Sequence, residues 1–210
     1  MKAVRCSNHK ACLTHVPEPS GEGVRVRIAA AGICGSDLHM IAMGFPNPFT
    51  LGHEMSGITD NGTPVAIEPI AACGHCPCCI RGEYNLCVLG SKTILGVGQD
   101  GGMAEELIVP ERCLVPLPAG LAVEDACLVE PLAVAVHGIA MTRPGHRDRV
   151  AIVGGGTIGL CAVAITRLAT PEVCLLARHD RQKAAGERLG ATLAPSGEYD
   201  LVIDCAGTAD

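Results

Sequence analysis

Cys73, Cys76, Cys79 and Cys87 are the residues whose spacing says most about chemistry. They run C-x2-C-x2-C-x7-C through a stretch broken by Gly74, Pro77 and Gly82. Four thiolates so placed close a tetrahedral shell around zinc and leave no open position. Such a site orders a loop and does not catalyse. Cys78 is a spare inside the loop, and a register that uses it in place of Cys79 is the alternative. Without metal, the same four would be buried or reactive thiols.

A looser constellation precedes and follows this loop. Cys34 lies within Gly32-Ile33-Cys34-Gly35-Ser36-Asp37-Leu38-His39, His53 and Glu54 follow Gly52, and Glu130 stands in Leu128-Val129-Glu130-Pro131. A Cys, a His and a carboxylate from separate segments can make a three-ligand zinc site with an open fourth position, which is the catalytic form of such a centre. Taken singly, each is more often a packed residue of no special role.

The third motif is Gly154-Gly155-Gly156-Thr157-Ile158-Gly159. This G-x-G-x-x-G follows a strand-like run, Arg149 to Val153, and opens a helix-like one, which is the context in which it binds a dinucleotide. Gly154 permits the tight turn, Gly156 lets backbone reach the pyrophosphate, and Gly159 lets helix and strand approach. Thr157 and Ile158 begin the helix, whose free N–H groups favour phosphate. The second strand of such a unit ends on an acid when the ribose of NAD is gripped. Ala177 occupies that place, followed by Arg178 and His179, with Arg181 and Lys183 nearby. An arginine pairs with a 2′-phosphate, so NADP(H) is expected over NAD(H). Asp180 is expected as the helix N-cap.

In order, GICGSDLH, GHE, the four-cysteine loop and LVEPLAVAVHG resemble the medium-chain zinc-dependent alcohol dehydrogenases, and the Glu130-Pro131 form is similar to their sorbitol and threonine dehydrogenase branch. The likeness runs through essentially the whole chain. It implies a GroES-like catalytic domain, two zincs, and hydride exchange between a secondary alcohol and a nicotinamide dinucleotide. It implies Cys34 and His53 as catalytic zinc ligands, with Glu54 as a ligand or one that exchanges onto the metal. Glu130 stands where the other branch has a second Cys and is the preferred ligand there; Cys127 is the alternative. By the same resemblance Asp37 orients His53, and Ser36 and His39 relay the substrate proton to solvent. A small alcohol or ketone is the implied partner, and a homo-oligomer the implied assembly.

These residues need elements to hold them. Residues 1–135 carry short β-like runs, such as Val24 to Ile28 and Val65 to Ile67, between Gly, Pro and Asn turns; Asp60-Asn61-Gly62 marks a tight hairpin. Residues 136–210 alternate strand and helix: strand to Val153, helix Thr157 to Leu168, strand Val173 to Ala177, helix Asp180 to Leu189, strand Tyr199 to Cys205. Pro131 to Met141 reads as the connecting helix. The expected fold is therefore α/β, a β-rich domain followed by a partial Rossmann doubly wound parallel sheet. The sequence ends just past the apparent fourth strand. Poor activity of the 210 residues alone is expected on that ground, and a non-catalytic zinc-stabilised dinucleotide-binding remnant is the alternative function.

Composition narrows the rest. Hydrophobic residues make up 48% and charged residues 18%, the profile of a folded chain. A net charge of −6 lacks the basic footprint of a nucleic-acid binder and argues against a zinc-ribbon module. The apolar run from Val150 to Ile165 is too short and too glycine-broken to span a bilayer, and the N-terminus has no signal-peptide core. Thirteen cysteines clustered around candidate ligands favour reduced thiols, hence a cytoplasmic location and no membrane partner.

Overall fold

Val24-Arg25-Val26-Arg27-Ile28 alternates branched and charged side chains, the period of a strand buried on one face. In the computed structural model, which describes residues 1–44 and 48–207, that run is the first half of a nine-residue strand. Val26 is wholly buried and Arg27 faces water. The chain divides into two compact units, Met1–Glu130 and Pro131–Asp210.

The first unit opens with an antiparallel hairpin, β1 (Lys2–Ser7) and β2 (Lys10–His15). The long strand β3 (Val24–Gly32) leads into helix α1 (Gly35–Ala42). Strands β4 (Glu54–Thr59) and β5 (Pro64–Ile67) follow, joined through Asp60-Asn61-Gly62. That turn is fastened by Asn61, whose Oδ1 accepts from the Thr59 hydroxyl at 2.5 Å and the Thr63 N–H at 3.1 Å. A short helix α2 (Pro77–Ile80) lies in the cysteine loop, and β6 (Glu106–Val109) and β7 (Leu114–Pro116) complete a five-stranded antiparallel sheet ordered β6-β3-β4-β5-β7.

The core on this sheet is aliphatic: Val26, Met55, Val65, Ile67, Leu95, Leu107 and Val109, with Cys113. A chain with no Trp and only two Phe and two Tyr must pack this way. The pairing of β3 with β4 slips by one residue between Ile28 and Ala30, and after that bulge Gly32 stands opposite Glu54. A bulge re-aims the side chains beyond it, and here those are the metal-site candidates.

The second unit begins within helix α3 (Val129–Thr142), which starts two residues earlier than the sequence pattern places it and so carries Glu130 in its first turn. Three parallel strands follow, β8 (Val150–Val153), β9 (Val173–Leu176) and β10 (Leu201–Asp204), with helices α4 (Thr157–Ala169) and α5 (Asp180–Arg188) between them. The sheet order is β10-β8-β9. Thr192 adds a single parallel bridge to Cys174 on the far side of β9. The chain thus moves outward from β8 through β9, then crosses back to lay β10 on the other side of β8. That reversal opens a crevice at the carboxyl end of β8, where ligands bind in such sheets. Val150, Ile152, Val163, Val173 and Leu175 form the core. Among the described residues, one helical run, Asp125–Thr142, is long and apolar enough to cross a membrane by length and composition.

Candidate functional site

Two segments of the first unit meet at Cys34, His53 and Glu54. Cys34 is the residue before α1, in extended conformation; His53 immediately precedes β4, which Glu54 opens. One ligand atom from each, the Cys sulfur, a His ring nitrogen and a carboxylate oxygen, lies within 4.8 Å of the other two. His53 and Glu54 are buried. Gly32, opposite Glu54, makes the space: a Cβ there would sit 2.1 Å from Glu54 Oε2. The triad therefore depends on a missing side chain on the neighbouring strand, a requirement that sequence reading passed over.

Asp37 stands behind the triad, fully buried on α1. Its Oδ2 accepts the Cys34 backbone N–H at 2.9 Å, and its Oδ1 lies 3.6 Å from His53 Nδ1. Both facing atoms, Asp37 Oδ1 and His53 Nδ1, are buried without a hydrogen-bond partner. The other ring nitrogen, Nε2, is 3.2 Å from the Ser36 hydroxyl. Ser36 thus meets His53. His39, three residues along α1, is exposed and its side chain bonds to none of the described residues.

Burial raises the pKa of the Glu54 carboxyl; His53 and a hydrogen bond from Cys34 pull it down, and Asp37 pushes it up again. Glu130 is raised by burial as well, opposed by His53 and reinforced by Glu54. Buried acids crowded around one imidazole are costly unless a cation joins them. The orphaned pair, the space left at Gly32 and the donor set all fit a zinc ion. Glu54 belongs to the triad, whereas Glu130 and Cys127 lie outside it. Both still feel Glu54, which with burial raises the Cys127 thiol.

The four-cysteine loop closes as its spacing requires. The sulfurs of Cys73, Cys76, Cys79 and Cys87 all lie within 4.8 Å of one another, with Cys76 to Cys79 at 3.4 Å and Cys73 to Cys79 at 3.9 Å. Thiolates at zinc bond length in a tetrahedron stand about 3.8 Å apart. Backbone N–H groups of Val88 and Cys79 point at Cys76 and lower its thiol to about 6, and those of Cys73 and Leu89 lower Cys87. Cys79 is pushed up to about 12 by burial and by its hydrogen bond with Cys76. An empty cage cannot hold four anions; a divalent ion removes the conflict. Cys78 is outside the group and contacts Arg81 at 3.6 Å. The Arg112 guanidinium donates to Ala72 O at the root of the loop.

In the second unit Gly154 has φ +102°, and a Cβ on Gly159 would lie 1.8 Å from Gly154 O. Gly156 precedes α4 with open space where a side chain would be. Thr157 and Ile158 are the first residues of that helix. Ala177 lies against the loop, since a Cβ on Gly155 would meet it at 2.6 Å. Arg178 next to it is exposed. The N-cap of α5 is His179 and not Asp180, which is instead the first helical residue. The cause is the Gln182 side chain, which reaches back to the His179 N–H at 3.3 Å and starts the helix one residue earlier. The Asp180 carboxylate pairs with Lys183 at 3.2 Å. Leu175, Leu176, Ala177, Lys183, Leu193 and Pro195 line a hollow of about 370 Å³ beside this helix.

Comparison with known proteins gives the family. Residues 20–119 match the alcohol dehydrogenase GroES-like domain. Galactitol 1-phosphate 5-dehydrogenase of Escherichia coli K12 is 37% identical over 68% of this chain and 45% of its own length. Sorbitol dehydrogenase of Halalkalibacterium halodurans is 33% identical over 91% of this chain and 64% of its own. A solved structure from Sinorhizobium meliloti 1021, described as a zinc-binding dehydrogenase bound to NADP, superposes with a TM-score of 0.88 at 34% identity, covering 99% of this chain and 70% of that one. The chain spans about half the length of several curated relatives it matches.

Proposed function

The chain belongs to the medium-chain zinc-binding alcohol and polyol dehydrogenases, and from that premise we propose that it serves hydride exchange between a secondary alcohol and NADP(H). The observation that carries the reading is the triad of Cys34, His53 and Glu54, assembled around an orphaned Asp37–His53 pair and separate from the closed four-cysteine site. Bound at the triad, zinc supplies a Lewis acid that favours loss of the substrate hydroxyl proton. The nicotinamide supplies the hydride acceptor.

The protein's own groups do the rest. Asp37 Oδ1 faces His53 Nδ1 at 3.6 Å and orients the ring, which leaves Nε2 beside Ser36. The Ser36 hydroxyl, beside that nitrogen, takes the substrate proton, and exposed His39 on the same helix passes it to water. Glu130, whose carboxyl pKa is raised by burial, lies outside the triad. At Cys73, Cys76, Cys79 and Cys87 a second zinc fixes the loop and takes no part in turnover.

The turn at Gly154, Gly156 and Gly159 receives the pyrophosphate, with the N–H groups of Thr157 and Ile158 at the open end of α4. Arg178 receives the 2′-phosphate of NADP(H). It is exposed beside Ala177, where an acid would grip the ribose of NAD, and the Asp180 carboxylate is taken up by Lys183. The Sinorhizobium relative was solved with NADP. The same reading gives a sugar alcohol or similar small molecule as substrate, a homo-oligomer and a cytoplasmic location.

Zinc per chain on metal-washed protein tests the proposal, followed by oxidation of sorbitol and galactitol 1-phosphate with NADP+ and NAD+. Two zincs and NADP+-dependent turnover are expected. One zinc per chain, lost with Cys73→Ser, would turn the reading into that of a non-catalytic dinucleotide-binding protein.

A further inference from the structure

The chain that delivers His53 is gripped from two sides. On one, the Leu51 N–H donates to Val4 O at 2.9 Å and Thr50 forms a bridge with Arg5 of β1. On the other, Gly101 N–H donates to Thr50 O, Met103 N–H to Leu51 O and Gly102 N–H to Gly52 O, all within 2.9 Å. The backbones are so close that a Cβ on Gly101 would lie 2.2 Å from Gly52 O. A side chain also takes part in this grip. Asp100 Oδ1 accepts the Thr50 N–H at 2.7 Å and stands 3.4 Å from Arg5 Nη2. Thr50 is 1% exposed, whereas the Asp100 side chain is 53% exposed. Asp100 therefore fills no core; its role here is to present an acceptor.

We propose that Asp100 is a positioning residue for the metal triad: its carboxylate closes the clamp on Thr50 and fixes where the chain delivers His53 and Glu54. The proposal rests on the reading of Cys34, His53 and Glu54 as a metal site. Only Leu51 and Gly52 separate the clamped residue from His53. Without Asp100 the Thr50 N–H is a buried donor lacking its acceptor, and the segment resettles to find another. Gly52, at φ +96°, is the joint at which such a shift reaches His53. The four-cysteine loop receives no bond from Asp100 among the described residues, so it serves as an internal control.

The test uses Asp100→Ala, Asp100→Asn and Arg5→Met in the full chain. Zinc per chain is measured across a series of buffered free-zinc concentrations. Asn keeps an oxygen for Thr50 and loses the charge, while Met at position 5 removes only the ion pair. The expected result is two zincs in the parent, the Asn variant and the Met variant. In the Ala variant the weaker-held zinc is expected to need about tenfold more free zinc, as loss of a supporting partner does at metal sites, with the other zinc unmoved. Equal zinc affinity in the Ala variant overturns the proposal. So does an Asn or Met variant that weakens as much as Ala, because the ion pair would then be the anchor. Should Asp100→Ala lose both zincs, Asp100→Glu, which keeps the charge and displaces the acceptor, takes its place with the same expectation. A parent chain that holds one zinc at every concentration overturns the triad reading itself, and the clamp with it.

Discussion

Gly32→Ala puts the geometry of the triad to its hardest test. The added Cβ would sit 2.1 Å from Glu54 Oε2, and 3.4 Å is the near edge of ordinary contact, so carboxylate and strand must part by about 1.3 Å. Backbone conformation is no obstacle, since Gly32 lies in the regular strand β3 and outside the positive-φ region. The cost therefore falls on the position of Glu54. Catalytic groups tolerate roughly 0.5 Å of displacement, and an error of about 1 Å costs on the order of 100-fold in rate, or about 2.7 kcal/mol. We expect kcat/KM for the preferred alcohol to fall about 100-fold and zinc content to drop from two per chain toward one. The remaining zinc should be lost only with Cys73→Ser. Adding Glu54→Asp to Gly32→Ala draws the carboxylate back by one methylene and should restore part of the zinc. Steady-state kinetics and metal analysis on the same preparations read both effects. A Gly32→Ala protein with two zincs and kcat/KM within about threefold of the parent would refute the claim that Glu54 works from the pocket opposite Gly32.

Other expectations follow from the same structure. Asp37→Asn removes the negative charge that faces His53 Nδ1, and triad zinc affinity should fall about 10- to 100-fold by chelator competition, with the four-cysteine zinc unchanged. Cys87→Ser opens the closed sulfur cage; a fall in melting temperature and release of one zinc are expected, and an unchanged melting curve would contradict a loop-ordering role. Arg178→Ala should raise KM for NADP+ by about tenfold or more and leave KM for NAD+ within about twofold, because a charge-assisted bond to a 2′-phosphate is lost; equal effects on both cofactors would rule Arg178 out as the phosphate ligand. Gly159→Ala sets a Cβ 1.8 Å from Gly154 O, and loss of dinucleotide binding by fluorescence titration is expected, since strand and helix can no longer close on the turn.

How much could be read without coordinates depends on how local each feature is. The cysteine loop was legible because its ligands fall within a short stretch in which the turns alone bring the sulfurs together. The strand, glycine turn and helix from Val150 to Ala169 were legible for the same reason: hydrophobic runs and glycines specify each neighbour in turn. Asp180 was misplaced by one residue because Asp is the better capping type by preference, while the backward bond from Gln182 that makes His179 the cap is a matter of side-chain reach.

The candidate metal triad is of another kind. Residue types and motif order brought Cys34, His53 and Glu54 into consideration, but nothing along the chain says that Glu54 lies close to Cys34 and His53 while Glu130 stays outside that group. That choice is made by the pairing of β3 with β4, the one-residue slip at Ile28 and Ala30, and the bare Gly32 it leaves opposite Glu54. The clamp at Asp100 is likewise unreadable from sequence, since 50 residues separate it from Thr50. The amino-acid sequence by itself determined the two unit types, the closed cysteine cage and the phosphate turn, all properties of neighbours in the chain. Only the tertiary structure decided which carboxylate stands beside Cys34 and His53 and what holds it there, because register between distant strands sets distances that no local pattern encodes.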